Sequence, residues 1–352
     1  MFLCSRVLES FFYGTHRPAV VYLASLAANG VNLVGDYALI YGKWGLPKLG
    51  LEGAAIATVG GAAVGLVVLT WIFLNGRAAR AHRTRRQKTP RIGQMLQVLR
   101  VGWPAGLQMF IDVLGWAVCI TALVGSVGTI AGVADADAGT VHLAASSVAI
   151  RYMHVAFMPT VGIGIATTAL VGRYIGARQM HLVRRRVHAA LALGVGYMGL
   201  CGLVFWLGRY PLVRFFLTVS ASPDPAVAKR TADVVAVAVQ VMICAGFFQM
   251  FDAAGIVLSG ALRGAGDTLW PMVISATLIV TVIIGGGVLM LTLLPQLESI
   301  GVWIACSAYI IVLGLAMWRR FAAGHWRKID LLGSRPKGPG QEVDGPSESG
   351  FD

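Results

Sequence analysis

Eight stretches of this chain are apolar for some twenty residues or more, at about 18–41, 51–75, 97–127, 142–170, 188–208, 229–258, 268–293 and 299–321. A helix needs roughly 20 residues to cross about 30 Å of hydrocarbon. Lipid offers the backbone no hydrogen-bond partner, so such runs must be helices or strands of a closed barrel. Their length and the lack of period-two alternation exclude the barrel. The expectation is an all-α polytopic membrane protein of about eight full spans, with residues 2–13 forming a ninth, partial one. Composition agrees: of 352 residues 57% are hydrophobic and only 13% charged, with mean hydropathy +0.72, outside soluble norms.

The end of the apolar region echoes its beginning. Leu46-Pro47-Lys48-Leu49-Gly50-Leu51-Glu52-Gly53-Ala54-Ala55-Ile56-Ala57 aligns without a gap on Leu294-Pro295-Gln296-Leu297-Glu298-Ser299-Ile300-Gly301-Val302-Trp303-Ile304-Ala305, sharing Leu, Pro, Leu, Gly, Ile and Ala. Each copy follows an apolar run opened by a proline, Pro18 or Pro271, after a glycine turn at 13–17 or 263–267. Internal symmetry of apolar segments is a signature of transporters built from repeated helical bundles.

A net charge of +13 raises the question of nucleic acid, and the distribution answers it. If every run crosses once, one side holds eighteen Lys/Arg: Arg77, Arg80, Arg83, Arg85, Arg86, Lys88, Arg91, Arg173, Arg178, Arg184, Arg185, Arg186, Arg319, Arg320, Arg327, Lys328, Arg17 and Arg263. The other side holds six, Lys43, Lys48, Arg209, Arg214, Lys229 and Arg230, and an acidic loop with Asp135 and Asp137. The positive-inside bias places the Arg-rich side and the C-terminus in the cytoplasm. The basic loops then read as topogenic and lipid-facing, with no nucleic-acid partner. Residues 333–352 are a polar, Pro/Gly-rich tail expected to be disordered. No signal-peptide pattern opens the chain. Cys4, Cys119, Cys201, Cys244 and Cys306 all lie in apolar segments and read as small packing residues. Gly61-x-x-x-Gly65 and Gly172-x-x-x-Gly176 suit close helix approach.

Three acidic residues lie deep in spans: Asp36, Asp112 and Asp252. An ionised carboxylate at mid-membrane costs on the order of 3 kcal/mol on insertion scales, so each should face a cavity, a partner or a bound cation. Asn32 precedes Asp36 by four residues and shares its helix face. Gln108 and Gln249 stand one turn before Asp112 and Asp252. These groups suit a proton or Na⁺; a fixed interhelical hydrogen bond is the other reading of each. Arg151 either compensates a buried carboxylate or snorkels to the surface, and His154 either relays protons or is simply hydrogen-bonded. Pro104 and Pro159 fall within spans, where kinks or hinges form. No phosphate loop, H-E-x-x-H or G-x-S-x-G motif occurs, so neither an ATPase of that kind nor an enzyme with those constellations is indicated. Transport would be driven by an ion gradient.

Several motifs together resemble one family. Asn32-x-x-x-Asp36-Tyr37-x-Leu39-Ile40-Tyr41-Gly42, followed by Leu49-Gly50-x-x-Gly53-Ala54-Ala55-x-Ala57-Thr58, resembles the fifth and sixth helices of the MATE (multidrug and toxic compound extrusion) family. Gly102-Trp103-Pro104-Ala105-Gly106-Leu107 with Asp112 resembles its seventh, and Phe157-Met158-Pro159-x-x-Gly162-x-Gly164 through Gly176-Ala177 its eighth. Asp252-Ala253 through Ser259-Gly260-Ala261-Leu262-Arg263-Gly264-Ala265-Gly266-Asp267-Thr268 resembles the tenth and its turn. The similarity covers about residues 1–325. It implies a two-lobe helical bundle around a central cavity and antiport of organic, often cationic, compounds against H⁺ or Na⁺, without a cofactor. It implies a partial N-lobe at 1–75 resembling helices 4–6, a basic cytoplasmic linker at 76–96, a complete C-lobe at 97–325 and a cytoplasmic tail at 326–352. On that resemblance the chain begins within the fourth helix and lacks the first three, with the first-helix aspartate of the N-lobe site. Asp112 and Asp252 match the C-lobe cation site; Asn32, Asp36 and Thr58 match the N-lobe proton or sodium site; Gln108, Gln249 and Arg151 join them as candidate lining residues. Na⁺ would sit at Asp112 and Asp252, or at Asn32 and Asp36. A monomer in the plasma (inner) membrane is expected. A lipid-linked precursor flippase of the same superfamily and an inactive or regulatory membrane fragment are the alternatives.

Overall fold

The structure, a computed structural model, describes residues 1–75, 84, 92–127, 138–217 and 225–329. The basic stretch from Arg77 to Arg91, Asp135, Asp137 and the tail beyond 329 lie outside the described residues. Most of the described residues are helical, and eight of the helical segments are long and apolar enough to cross a membrane. The chain divides into two compact units after Met95.

The first unit holds α1 (Phe2–Gly14), α2 (Pro18–Tyr41) and α3 (Leu51–Asn75). Pro18 opens α2 at a position whose N–H needs no intrahelical acceptor, and Gly42 closes it with φ +65°. Small residues let α2 and α3 pack as an antiparallel hairpin: a Cβ on Gly61 would stand 2.6 Å from the Ala28 carbonyl oxygen, and one on Gly35 2.9 Å from the Ala57 Cβ. In lipid there is little hydrophobic force between helices, so this close fit supplies the association. Phe11 meets Phe73 edge-on at 5.0 Å, and Phe12, Val21, Ala24 and Leu69 form the buried cluster.

The second unit holds α4 (Ile92–Val118), α5 (Ala138–Gly176), α6 (Met180–Leu207), α7 (Arg209–Leu217), α8 (Pro225–Gly264), α9 (Leu269–Leu278), α10 (Gly286–Leu293) and α11 (Glu298–Ala322). Helix α8 is its axis, packed against α5, α6 and α11. Gly164 meets Gly260 and Thr168 meets Gly264, so α5 and α8 run alongside in the same direction; the Thr168 hydroxyl donates to the Gly260 carbonyl at 2.8 Å. On α6, Gly202 faces the Gly246 carbonyl, and on α11 Gly314 faces that of Phe251. Both α5 and α8 outrun the apolar stretches that reveal them, because a helix continues past the hydrocarbon into the headgroup region. At one end of the unit Asp267 is buried in the glycine turn after α8, where the Arg320 Nε donates to it at 2.8 Å.

The backbone stays helical through Pro104 and Pro159. The irregularities lie elsewhere, as π-helical turns at Cys119–Val124, continuing α4, and Ile279–Gly285, joining α9 to α10. They are neighbours: a Cβ on Gly115 would meet Ile279, and one on Gly287 would meet Leu123, each at 2.7 Å. The sequence repeat also has a backbone counterpart. Gly50 has φ +55° and its aligned partner Glu298 has φ +48°, each next to the start of the following span.

Candidate cation site

Helices α4, α9 and α11 bring three polar side chains together in an otherwise apolar core. The Ser275 hydroxyl donates to Asp112 Oδ1 at 2.5 Å, and the Tyr309 hydroxyl donates to the same oxygen at 3.3 Å. The two hydroxyls are 3.2 Å apart. Ser275 and Tyr309 are buried and Asp112 is half-buried. Asp252 on α8 is close enough for its charge to interact with that of Asp112, and Arg263 is within electrostatic reach of Asp112 from the last turn of α8. Asp252 is half-buried and makes no hydrogen bond among the described residues. Two carboxylates in a low-dielectric surrounding repel. A proton or a small cation between them relieves that repulsion, and Asp112, Ser275 and Tyr309 supply oxygens of the kind hard cations favour.

Ser275 and Tyr309 carry no signal in the sequence, because neutral hydroxyls recur throughout the spans at little cost. Gln108 is buried one turn before Asp112. Gln249 is 1% exposed against Gly202, and its Nε2 has no partner among the described residues. Arg151 is exposed, with its guanidinium 5.3 Å from the centre of the Phe216 ring. It does not join the carboxylates. His154 is exposed too, its Nδ1 2.9 Å from the Ile150 carbonyl one turn back.

In the first unit the Asn32 amide donates to the Thr58 hydroxyl at 3.3 Å, which itself donates to the Ala54 carbonyl at 2.9 Å. Both line an open cavity of about 290 Å³ with Ser5, Glu9, Ser25 and Asn29. Glu9 accepts from Arg6 at 2.8 Å; it lies on a helix too short to register as a span, which hid it from the sequence. Asp36 does not line that cavity, and its Oδ1 is buried without a partner among the described residues.

A further polar cluster ties the first turns of α5 and α11. His142 is 4% exposed; its Nδ1 is 2.7 Å from the Ser299 hydroxyl and its Nε2 3.2 Å from Glu298 Oε2. One turn deeper the Trp303 indole donates to Ser146 at 3.0 Å.

A family model described as MatE matches residues 115–287. A probable multidrug resistance protein NorM of Thermotoga maritima is 31% identical over 304 residues, covering 86% of this chain and 60% of the relative. A multidrug resistance protein NorM of Burkholderia vietnamiensis is 35% identical over 248 residues, covering 70% of this chain and 49% of its own length. The chain thus spans about half to three fifths of the length of these two relatives. Among solved structures, the eukaryotic MATE transporter AtDTX14 superposes with TM-score 0.74 at 19% identity, over 91% of this chain and 65% of that one. The Vibrio cholerae MATE transporter VcmN in its bent form does so with TM-score 0.71 at 18% identity, over 91% and 65%.

Proposed function

We propose that this chain is a MATE-type secondary antiporter exporting small organic compounds, often cationic, against an inward flow of H⁺ or Na⁺, a reading supported by the MatE model's match to residues 115–287 and by the similarity to NorM proteins. The observation that carries this reading is the Asp112 carboxylate, held by Ser275 and Tyr309 from two other helices with Asp252 in electrostatic reach. Such a group does more than pin helices together. Loading it with a proton removes the charge that the two hydroxyls solvate; loading it with Na⁺ redirects both hydroxyl oxygens to the ion. Either event rearranges bonds that join α4, α9 and α11, so ion occupancy couples to helix packing. In the opposite state the pair of carboxylates is free to attract an organic cation. The names of the relatives, multidrug resistance proteins, support the substrate class. The positive-inside bias supports a cytoplasmic C-terminus.

Dye efflux tests the proposal. Cells expressing the chain should extrude a cationic dye, and collapsing the proton or sodium gradient should stop extrusion. Asp112→Asn and Asp252→Asn should each reduce the rate at least tenfold while the protein still reaches the membrane. Wild-type extrusion by both variants would overturn the assignment.

A further inference from the structure

Near the carboxylates, α4 and α11 meet a second time. The sulfurs of Cys119 and Cys306 lie 3.1 Å apart, each residue 1% exposed, in the largest apolar cluster of the second unit. That is well inside ordinary sulfur–sulfur contact and leaves about 1 Å to close before a bond of about 2.0 Å. Cys119 follows Asp112 by seven residues, two turns along α4, and Cys306 precedes Tyr309 by three, one turn along α11. The thiol pair and the Asp112–Tyr309 hydrogen bond are therefore neighbouring links between the same two helices. Cys119 also begins the π-helical turn Cys119–Val124. The hydrogen-bond register widens there, and such turns are frequent at functional sites.

We propose that Cys119 and Cys306 form a reversible disulfide that fixes α4 against α11 and holds the cation site in one arrangement. Burial sets the chemistry. Both thiols lie in an apolar core, each 1% exposed, so water-soluble oxidants do not reach the pair. An organic hydroperoxide that dissolves in the membrane reaches it. One thiol sulfur attacks the peroxide oxygen, the O–O bond breaks, and its proton leaves with the alkoxide as an alcohol. The resulting sulfenic acid is attacked by the second thiol, forming the S–S bond, and the hydroxyl leaves with that thiol's proton as water. Two thiols and one hydroperoxide thus yield one disulfide, one alcohol and one water. Proximity favours the second step, which is intramolecular across 3.1 Å. Cys244 packs against the same apolar cluster and is the rival partner.

The protein in liposomes would be treated with cumene hydroperoxide, unfolded in iodoacetamide and digested without reductant. The expected result is a peptide pair joined through Cys119 and Cys306, abolished by dithiothreitol. Cys119→Ser and Cys306→Ala should each eliminate it; using both guards against one variant that does not fold. Both thiols alkylated after treatment, or Cys244 joined to Cys306 instead, would overturn the pairing. The lock rests on the antiporter reading above, whereas the crosslink does not. If untreated protein extrudes dye, oxidation should abolish extrusion, dithiothreitol should restore it, and Cys306→Ala should extrude dye with or without oxidant. A complete crosslink with undiminished extrusion would overturn the lock. If untreated protein extrudes nothing, the antiporter reading is what fails; the lock is then read from thermal unfolding, where the crosslink should raise the midpoint and an unchanged midpoint overturns it.

Discussion

Asp112 Oδ1 accepts one short and one long hydrogen bond, and the difference sets an order of effects. A hydrogen bond to a charged group contributes about 1.5–3 kcal/mol, so Ser275→Ala should weaken ion-coupled efflux roughly tenfold or more. Tyr309→Phe removes the 3.3 Å bond alone and should do less, while Ser275→Thr, which keeps a hydroxyl, should stay near wild type. Efflux rates of the three variants check this, and Tyr309→Phe below Ser275→Ala would contradict it. At this scale the sequence was readable for charge and silent for neutral donors. Asp112 and Asp252 stand out because a carboxylate in hydrocarbon is expensive, whereas a serine or tyrosine in a span is not. His142 and Glu298 escaped notice for another reason. They lie at helix ends, where polar residues are ordinary, and only the fold brings α5 and α11 together.

Helix contacts in this protein depend on missing side chains. A Cβ on Gly260 would stand 2.5 Å from the Gly164 carbonyl oxygen, so Gly260→Val must push α5 from α8. Overpacking of that kind costs about 1–3 kcal/mol, and the thermal midpoint of the detergent-solubilised protein should fall by several degrees. Gly196 on α6 has nothing within 4 Å of its Cβ position, so Gly196→Ala should leave the midpoint unchanged or raise it slightly. Equal loss in both would refute the packing account. Elements were legible because span length and turn glycines are local properties. The π-helical turns at Cys119–Val124 and Ile279–Gly285 were not, since no residue marks an extra-wide turn. The prolines, the obvious candidates for irregularity, lie within continuous helix. The repeat was legible as residues and not as torsions: the positive-φ residue before α3 is Gly50, and its counterpart, the first residue of α11, is Glu298, which bonds His142. Glu298→Gly should therefore gain backbone ease and lose that bond, leaving the midpoint within a few degrees of wild type; a large drop would show that the His142 contact outweighs the strain.

For the whole chain, the charge asymmetry predicts which face is cytoplasmic. In a background without native cysteines, Arg178→Cys should react with an impermeant maleimide only from the cytoplasmic side and Lys43→Cys only from outside. The reverse pattern would invert the topology. Fold class and span number follow from the length of the apolar runs, because oil permits only helices or a closed barrel, and the eight described helices long and apolar enough to cross a membrane match that expectation. The joint meaning of the polar groups does not follow from the sequence, since Asp112, Asp252, Ser275 and Tyr309 come from four helices spread over nearly two hundred residues. Whether that cluster takes up and gives back an ion is the claim on which the transport account rests. Purified protein in a weakly buffered solution, challenged with Na⁺ or with an organic cation while a pH indicator records proton release, measures it directly. Wild type should release about one proton per chain, and the Asp112→Asn, Asp252→Asn double variant should release none. Undiminished release from the double variant would show that the exchangeable proton resides elsewhere.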